Sequence, residues 1–165
     1  NDDTLAESCR MLRAHGSKKK YFNEIIGYNS RLDEVQAACL RVKLTHLETA
    51  NDRRRQVAKR YAEALKGLGV GTPAETPGTK HVYHQYTIRI PGGKRDQVRG
   101  ALEAQGISTM IYYPVPLHRL PIYAAMNVDL PETERAAGEV ISLPIWPEMT
   151  TGTQLRVVEA IKNAL

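Results

Sequence analysis

Six residues able to bind or move protons, His81, Tyr83, His84, Tyr112, Tyr113 and His118, fall on or just after two predicted strands. A strand that runs into a Pro-fixed loop presents such side chains to a ligand on a rigid support. Imidazole titrates near neutral pH and a phenol both donates and accepts, so the set suits the binding and orienting of a polar substrate. Each of these side chains also has a structural use, since a Tyr or His near a sheet edge commonly caps packing with one hydrogen bond. A second chemistry is offered by the stretch Gly27 to Cys39, just after Lys18, Lys19 and Lys20. Gly27 admits backbone angles closed to other residues, Ser30 reads as an N-cap and Asp33 completes a Ser-x-x-Asp pattern. Free backbone N–H groups, a positive helix end and three cationic side chains together favour an anion such as phosphate. An ordinary capped helix beside a solvated lysine run fits the same residues. The sequence contains no Ser/His/Asp order, no metal-ligand cluster, no Walker-type glycine loop and no paired carboxylates in a shared apolar setting.

The elements that must hold these residues are legible from periodicity. Leu5, Cys9 and Leu12 mark an opening helix that should stop near His15 and Gly16. From Leu32 to Lys66 there is neither Gly nor Pro. Its first part carries two apolar stripes, Leu32, Val35, Cys39 and Val42, and Leu40, Leu44 and Leu47, which predicts a core helix covered on more than one side. Its second part carries one stripe, Val57, Ala58, Tyr61, Ala62, Leu65 and Leu68, with a kink expected between Thr49 and Asp52. A continuous helix of this kind would run about 50 Å and bridge domains or subunits.

After a Gly/Pro-rich loop the period changes to two. His81 to Ile90 reads as a strand with Val82, His84, Tyr86, Ile88 and Ile90 on its apolar face. A short helix around Val98 to Leu102 closes at Gly106, and Ile107 to Tyr112 reads as a second strand. Pro114 and Pro116 make the segment Tyr113 to His118 a rigid loop. A helix from Pro131 to Val140, an edge strand over Ile141 to Ile145, and a last helix follow. That last helix has a Thr151/Gln154 capping box and a stripe of Leu155, Val158, Ile161 and Leu165.

Composition bounds the class. Of the 165 residues 42% are hydrophobic and 25% charged, and no apolar run approaches the roughly 20 residues of a membrane span. The two cysteines, Cys9 and Cys39, lack zinc spacing and read as buried thiols in a reducing, cytoplasmic compartment. A net charge of +5 suits acidic small molecules or nucleic acid. The run Arg53 to Arg55 has no aromatic platform beside it, which favours a solvated helix face over a nucleic-acid patch. The first residues, Asn1 to Thr4, have no initiator Met and no signal-peptide order, and the start reads as the interior of a longer protein.

Three ordered motifs extend the reading. Gly27-Tyr28-Asn29-Ser30-Arg31-Leu32-Asp33-Glu34-Val35-Gln36-Ala37-Ala38, then Tyr83-His84-Gln85-Tyr86-Thr87-Ile88-Arg89, then Gly106-Ile107-Ser108-Thr109 through Tyr113-Pro114-Val115-Pro116-Leu117-His118 resemble the DegT/DnrJ/EryC1/StrS family of sugar aminotransferases. The likeness covers nearly the whole chain. It implies an α/β class: the α+β small domain of a fold-type I enzyme dependent on pyridoxal 5'-phosphate, with a long bridging helix and a small, mainly antiparallel sheet flanked by helices. Residues 1–50 would be the tail of the large cofactor-domain region and residues 51–165 the carboxy-terminal small domain with its connecting helix. The implied partners are a second subunit in a homodimer, a nucleotide-linked keto sugar and an amino-acid donor, with no role for a membrane or nucleic acid.

By the same resemblance, Asn29 matches the residue that reaches across the dimer interface to the cofactor phosphate. Arg31 matches the neighbouring arginine, with an interface or substrate role. His84, Tyr113 and His118 match positions at the mouth of the active site that bind and orient the sugar nucleotide. The departure from the pattern is the family's Schiff-base lysine, which belongs to a segment upstream of Asn1. None of the nine lysines present matches it, so the chain by itself is expected to be inactive and to be the carboxy-terminal portion of such an enzyme. A sugar dehydratase with His in place of that Lys, a basic binding or regulatory module, and a chiefly dimerising role for the long helix are the alternatives. Without a cover for the two-stripe helix, association of the isolated chain is expected.

Overall fold

The computed structural model describes all of residues 1–165, which divide into two compact units, Asn1–Leu47 and Glu48–Leu165.

The first unit starts with α1 (Asp3–Leu12), capped by the Asp2 side chain, which accepts a hydrogen bond from the Leu5 backbone N–H. The helix ends earlier than expected. His15 and Gly16 both take left-handed angles, φ 60° and 77°, and the Gly16 N–H donates to the Met11 carbonyl. The chain then forms a small hairpin from β1 (Ser17–Lys19) and β2 (Phe22–Asn23). Gly16 and Gly27 face each other across this turn: a Cβ on Gly16 would lie 1.8 Å from the Ile25 carbonyl oxygen, and one on Gly27 would lie 2.1 Å from the Gly16 nitrogen. Gly27 is therefore required for close approach rather than for a positive φ.

α2 (Glu34–Leu44) begins three residues later than the Ser30 cap implied. The Ser30 N–H donates to the Arg13 carbonyl, and Asn29 bridges Ala14 in antiparallel fashion, so the backbone there is committed to pairing with the end of α1. Asp33 is the actual N-cap, its carboxylate 2.8 Å from the Val35 nitrogen. Neither stripe of α2 is buried within the chain, and Cys9 and Cys39 are exposed rather than buried. The continuous helix of the sequence reading is broken at Thr45 and His46, upstream of the expected kink, where the Thr45 hydroxyl donates to the Val42 carbonyl.

The second unit is built on α3 (Leu47–Ala64), whose predicted stripe supplies Val57, Ala58, Tyr61 and Leu65 to the core. The Tyr61 hydroxyl donates to the Pro144 carbonyl at 3.0 Å, which ties the helix to the end of β4 (Val140–Leu143). β3 (Tyr86–Arg89) pairs antiparallel with β4, with Ile88 opposite Ile141. Single bridges extend this ribbon on both sides, Gly71 against Arg89 and Met110 against Ser142. β4 is therefore flanked on both edges and is no edge strand, and Ile107 to Tyr112 contributes one bridge rather than a strand.

α4 (Arg95–Ala104) packs against α6 (Thr151–Ala164), and α5 (Pro131–Glu139) is tied to β3 by Arg89 and Glu139 at 2.7 Å. The last helix is capped by Thr150, which accepts from the Thr153 N–H. Its buried face is Val157, Val158, Ala160, Ile161 and Ala164, while Leu155 is 51% exposed. Gln154, expected in a capping box, is instead buried: its amide donates to the Val57 carbonyl and its oxygen accepts from Arg60 on α3, both at 2.8 Å. No helix of the chain is long and apolar enough to cross a membrane.

Candidate functional site

Each unit holds part of the candidate set. In the first unit, Asn29 and Arg31 lie on the exposed segment between the hairpin and α2. The Arg31 Nε–H donates to Asn29 Oδ1 at 3.1 Å. A guanidinium only donates, so the Asn29 oxygen is the atom committed inward and its NH₂ group stays available beside the remaining guanidinium N–H groups. The resulting donor set carries charge and no competing acceptor, which fits a phosphate. It does not draw on a helix N-terminus, because α2 begins only at Glu34. Nor do the three lysines join it: Lys18 pairs with Glu7 at 2.8 Å, and Lys19 and Lys20 lie over the rings of Phe22 and Tyr21.

In the second unit the expected strand starts late. Tyr83 adopts φ 46°, a left-handed conformation, so His81 to Gln85 precede β3 as irregular chain. The turn shifts the alternation by one residue. Tyr83 becomes buried and packs near Tyr86, with ring centroids 6.1 Å apart, while Val82 and His84 are exposed. Tyr86 in turn stacks on Tyr61 at 5.0 Å, and its buried hydroxyl has no hydrogen-bond partner in the chain. Burial pushes the Tyr86 and Tyr61 hydroxyl pKa values upward, which keeps both groups neutral.

His84 and Tyr112 line one cleft of about 270 Å³, together with Ser108, Thr109, Ser142 and the backbone around Pro144. Hydroxyls, an imidazole and a phenol in one recess can hydrogen-bond a polar, uncharged ligand group. Tyr113 and His118 do not line this cleft. Tyr113 is 74% exposed at φ 59°. His118 sits in a short 3-10 turn, Leu117–Arg119, with its side chain only 6% exposed. Its Nε2 lies 3.0 Å from Glu134 Oε1, and Arg119 reaches the same oxygen through Nε at 2.8 Å. A carboxylate only accepts, so Nε2 carries the proton. The hydrogen bond from His118, and then that from Arg119, hold the Glu134 carboxyl below its ordinary range.

Sequence reasoning passed over Glu134, because nothing local links α5 to a histidine 16 residues earlier. It also passed over the clamp ahead of β3. Arg55 on α3 binds Glu75 in bidentate fashion, at 2.5 and 3.2 Å, and the Glu75 carboxylate accepts the His81 N–H at 2.8 Å. The Arg55 guanidinium, and then the His81 N–H, hold the Glu75 carboxyl low. Three arginines in sequence read as a solvated face, and only the fold shows that the third is structural.

The sequence profile of the DegT/DnrJ/EryC1/StrS aminotransferase family matches residues 1–162. A pleiotropic regulatory protein of Geobacillus stearothermophilus is 51% identical over 98% of this chain and 44% of its own length. The dTDP-3-amino-3,4,6-trideoxy-alpha-D-glucose transaminase of Streptomyces venezuelae is 46% identical over 98% of this chain and 43% of its own. Among solved structures, that of S. venezuelae DesV in complex with a ketimine intermediate superposes with a TM-score of 0.89 at 45% identity, covering 98% of this chain and 44% of that one. The structure of NtdA from Bacillus subtilis with bound cofactor PMP gives a TM-score of 0.88 at 28% identity, covering 99% and 40%. The chain thus spans less than half the length of the relatives it matches.

Proposed function

Since this chain belongs to the DegT/DnrJ/EryC1/StrS aminotransferase family, we propose that it is the carboxy-terminal portion of a cytoplasmic, homodimeric, pyridoxal-phosphate-dependent enzyme that aminates a nucleotide-linked keto sugar, with glutamate or glutamine as donor. The observation that carries this reading is the 46% identity to a dTDP-amino-sugar transaminase over 98% of the chain. Residues 1–50 belong with the cofactor-bearing part of that enzyme, and residues 51–165 form its small domain.

In this reading Asn29 and Arg31 hold the cofactor phosphate of the partner subunit, through the free Asn29 NH₂ and the guanidinium that fixes it. The cofactor supplies the electron sink that lets nitrogen pass between donor and sugar. His84 donates to or accepts from the sugar nucleotide in the cleft it shares with Tyr112, Ser108 and Thr109. Tyr113 provides an exposed aromatic face beside the bound nucleotide, and His118 holds the loop that carries it. The residues of this chain bind and orient; proton transfer at the reacting carbon falls to a lysine that this chain does not contain.

The test is a half-reaction on the full-length protein. L-glutamate should bleach the visible absorbance of bound cofactor, and a nucleotide-linked keto sugar should restore it. Bleaching without recovery by any such sugar would rule out sugar amination. A histidine at the cofactor lysine position would replace transamination with the dehydratase reading. The name of the Geobacillus relative favours one second reading, a regulatory module whose basic runs contact an acidic partner. Salt-dependent binding of duplex DNA is its signature.

A further inference from the structure

We infer that His81 is a positioning residue for His84: its imidazole pins the Tyr83 backbone in the left-handed turn that delivers His84 to the cleft beside β4, and acid releases the pin. The functional meaning of the inference rests on the sugar-site reading of His84; its geometry does not.

The turn is needed because Tyr83 and Tyr86 are both buried. Residues three apart on a regular strand point to opposite faces, so both rings enter one core only if the chain reverses between them. Tyr83 provides the reversal at φ 46°, a region that L side chains avoid, and something must hold it there. His81 is placed to do so. Its own N–H donates to Glu75 and its carbonyl accepts from Arg55 Nη1 at 2.9 Å, so its backbone is clamped from both sides by the Arg55–Glu75 pair. From that fixed base the ring leans on the Tyr83 ring, centroids 4.3 Å apart, and Nδ1 accepts the Tyr83 N–H at 2.9 Å. This is the geometry of an Asx-turn with imidazole in the acceptor role.

A backbone N–H can only donate, so the bond exists only while Nδ1 is unprotonated. The charged groups facing His81 are the Glu75 carboxylate and the Arg55 guanidinium, with the Tyr83 phenol on its ring side. Lys80 is adjacent in sequence, but its ammonium is held by Glu48 and Asp52 on α3, at 3.3 and 3.1 Å. A protonated ring would set two N–H groups against each other at Tyr83. It gains by turning toward Glu75 instead, and Tyr83 loses its restraint.

The experiment follows the backbone amide of Tyr83 and the rings of His81 and His84 by NMR in the isotope-labelled full-length protein, from pH 8 to pH 5. In the wild type both signals should move in step with the titration of His81. His81→Asn keeps an acceptor for the N–H two residues on, so it should show the native Tyr83 signal at both pH values and no response between them. His81→Phe should show the acid-form signals already at pH 8. In turnover, His81→Phe should raise KM for the sugar nucleotide by about fivefold or more with kcat within about twofold, and His81→Asn should restore it. Wild-type Tyr83 and His84 signals that stay still while His81 titrates would overturn the inference. So would a His81→Asn protein that keeps the wild-type pH response. The NMR arms need neither sugar nor cofactor, so a failed transamination assay would remove the proposed function and leave this inference standing.

Discussion

His118 and Glu134 meet at 3.0 Å, imidazole Nε2 to carboxylate oxygen, and join the Pro-rich loop to α5 across 16 residues of sequence. Arg119 adds a second bond to the same oxygen, so one carboxylate holds two consecutive side chains of a single 3-10 turn. The tyrosine-bearing loop that precedes this turn therefore has a defined anchor at its far end.

Glu134→Ala should free that anchor without unfolding the core, because neither the turn nor α5 contributes a residue to the hydrophobic core. Hydrogen exchange at Arg119 and Leu120 should quicken while the global melting temperature changes little. The pH dependence has a definite sign. The carboxyl is lowered in the folded state from its usual 4.5, so its stabilising effect is complete above that value and disappears as the pH falls through the folded pKa. Wild-type exchange in this segment should approach that of the variant once the pH has fallen below the folded pKa.

The buried face of α6 separates two residues that periodicity treats alike. Ile161 is fully buried and Leu155 is half exposed. Ile161→Ala should cost about 2–5 kcal/mol in denaturant unfolding. Leu155→Ala should fall within about 0.5 kcal/mol of wild type, since the site is at the surface and Ala is the better helix former.

Asn29→Ala removes the NH₂ donor proposed for the cofactor phosphate and also frees Arg31. Hydrogen bonds to charged groups contribute about 1.5–3 kcal/mol, which corresponds to about a ten- to hundredfold weaker affinity. Titration of full-length apoenzyme with cofactor, read by absorbance, checks this. Unchanged affinity would remove Asn29 from the phosphate site.

The chain of residues 1–165 exposes Val35, Val42 and Leu44 on one helix that buries nothing. Apolar surface on that scale drives association. Sedimentation should show concentration-dependent oligomers, and Val35→Glu with Val42→Glu should shift the distribution to monomer. A wild-type monomer at all concentrations would contradict this.

Much of the architecture was legible locally. The α3 stripe, the short helix closed by Gly106 and the helix starting at Pro131 stand in the structure where periodicity and turn chemistry put them. Each depends on residues within three or four positions of one another, which is the range over which caps, turns and helical faces act. The failures share the opposite property. Ser30 lost its cap because its N–H was taken by the Arg13 carbonyl, Tyr83 left the strand because its ring joins the core beside Tyr86, which itself stacks on Tyr61 of α3, and Gln154 left its capping role because Val57 and Arg60 offered buried partners.

The sequence by itself determined where the main helices lie, which face of α3 is buried, and the family. Tertiary structure alone decided the burial of Gln154, the left-handed turn before His84, and the carboxylates that hold His81 and His118. Those choices are made by partners 6 to 97 residues away. A backbone N–H or a buried ring goes to whichever partner the folded chain brings within reach, and no local pattern encodes that competition.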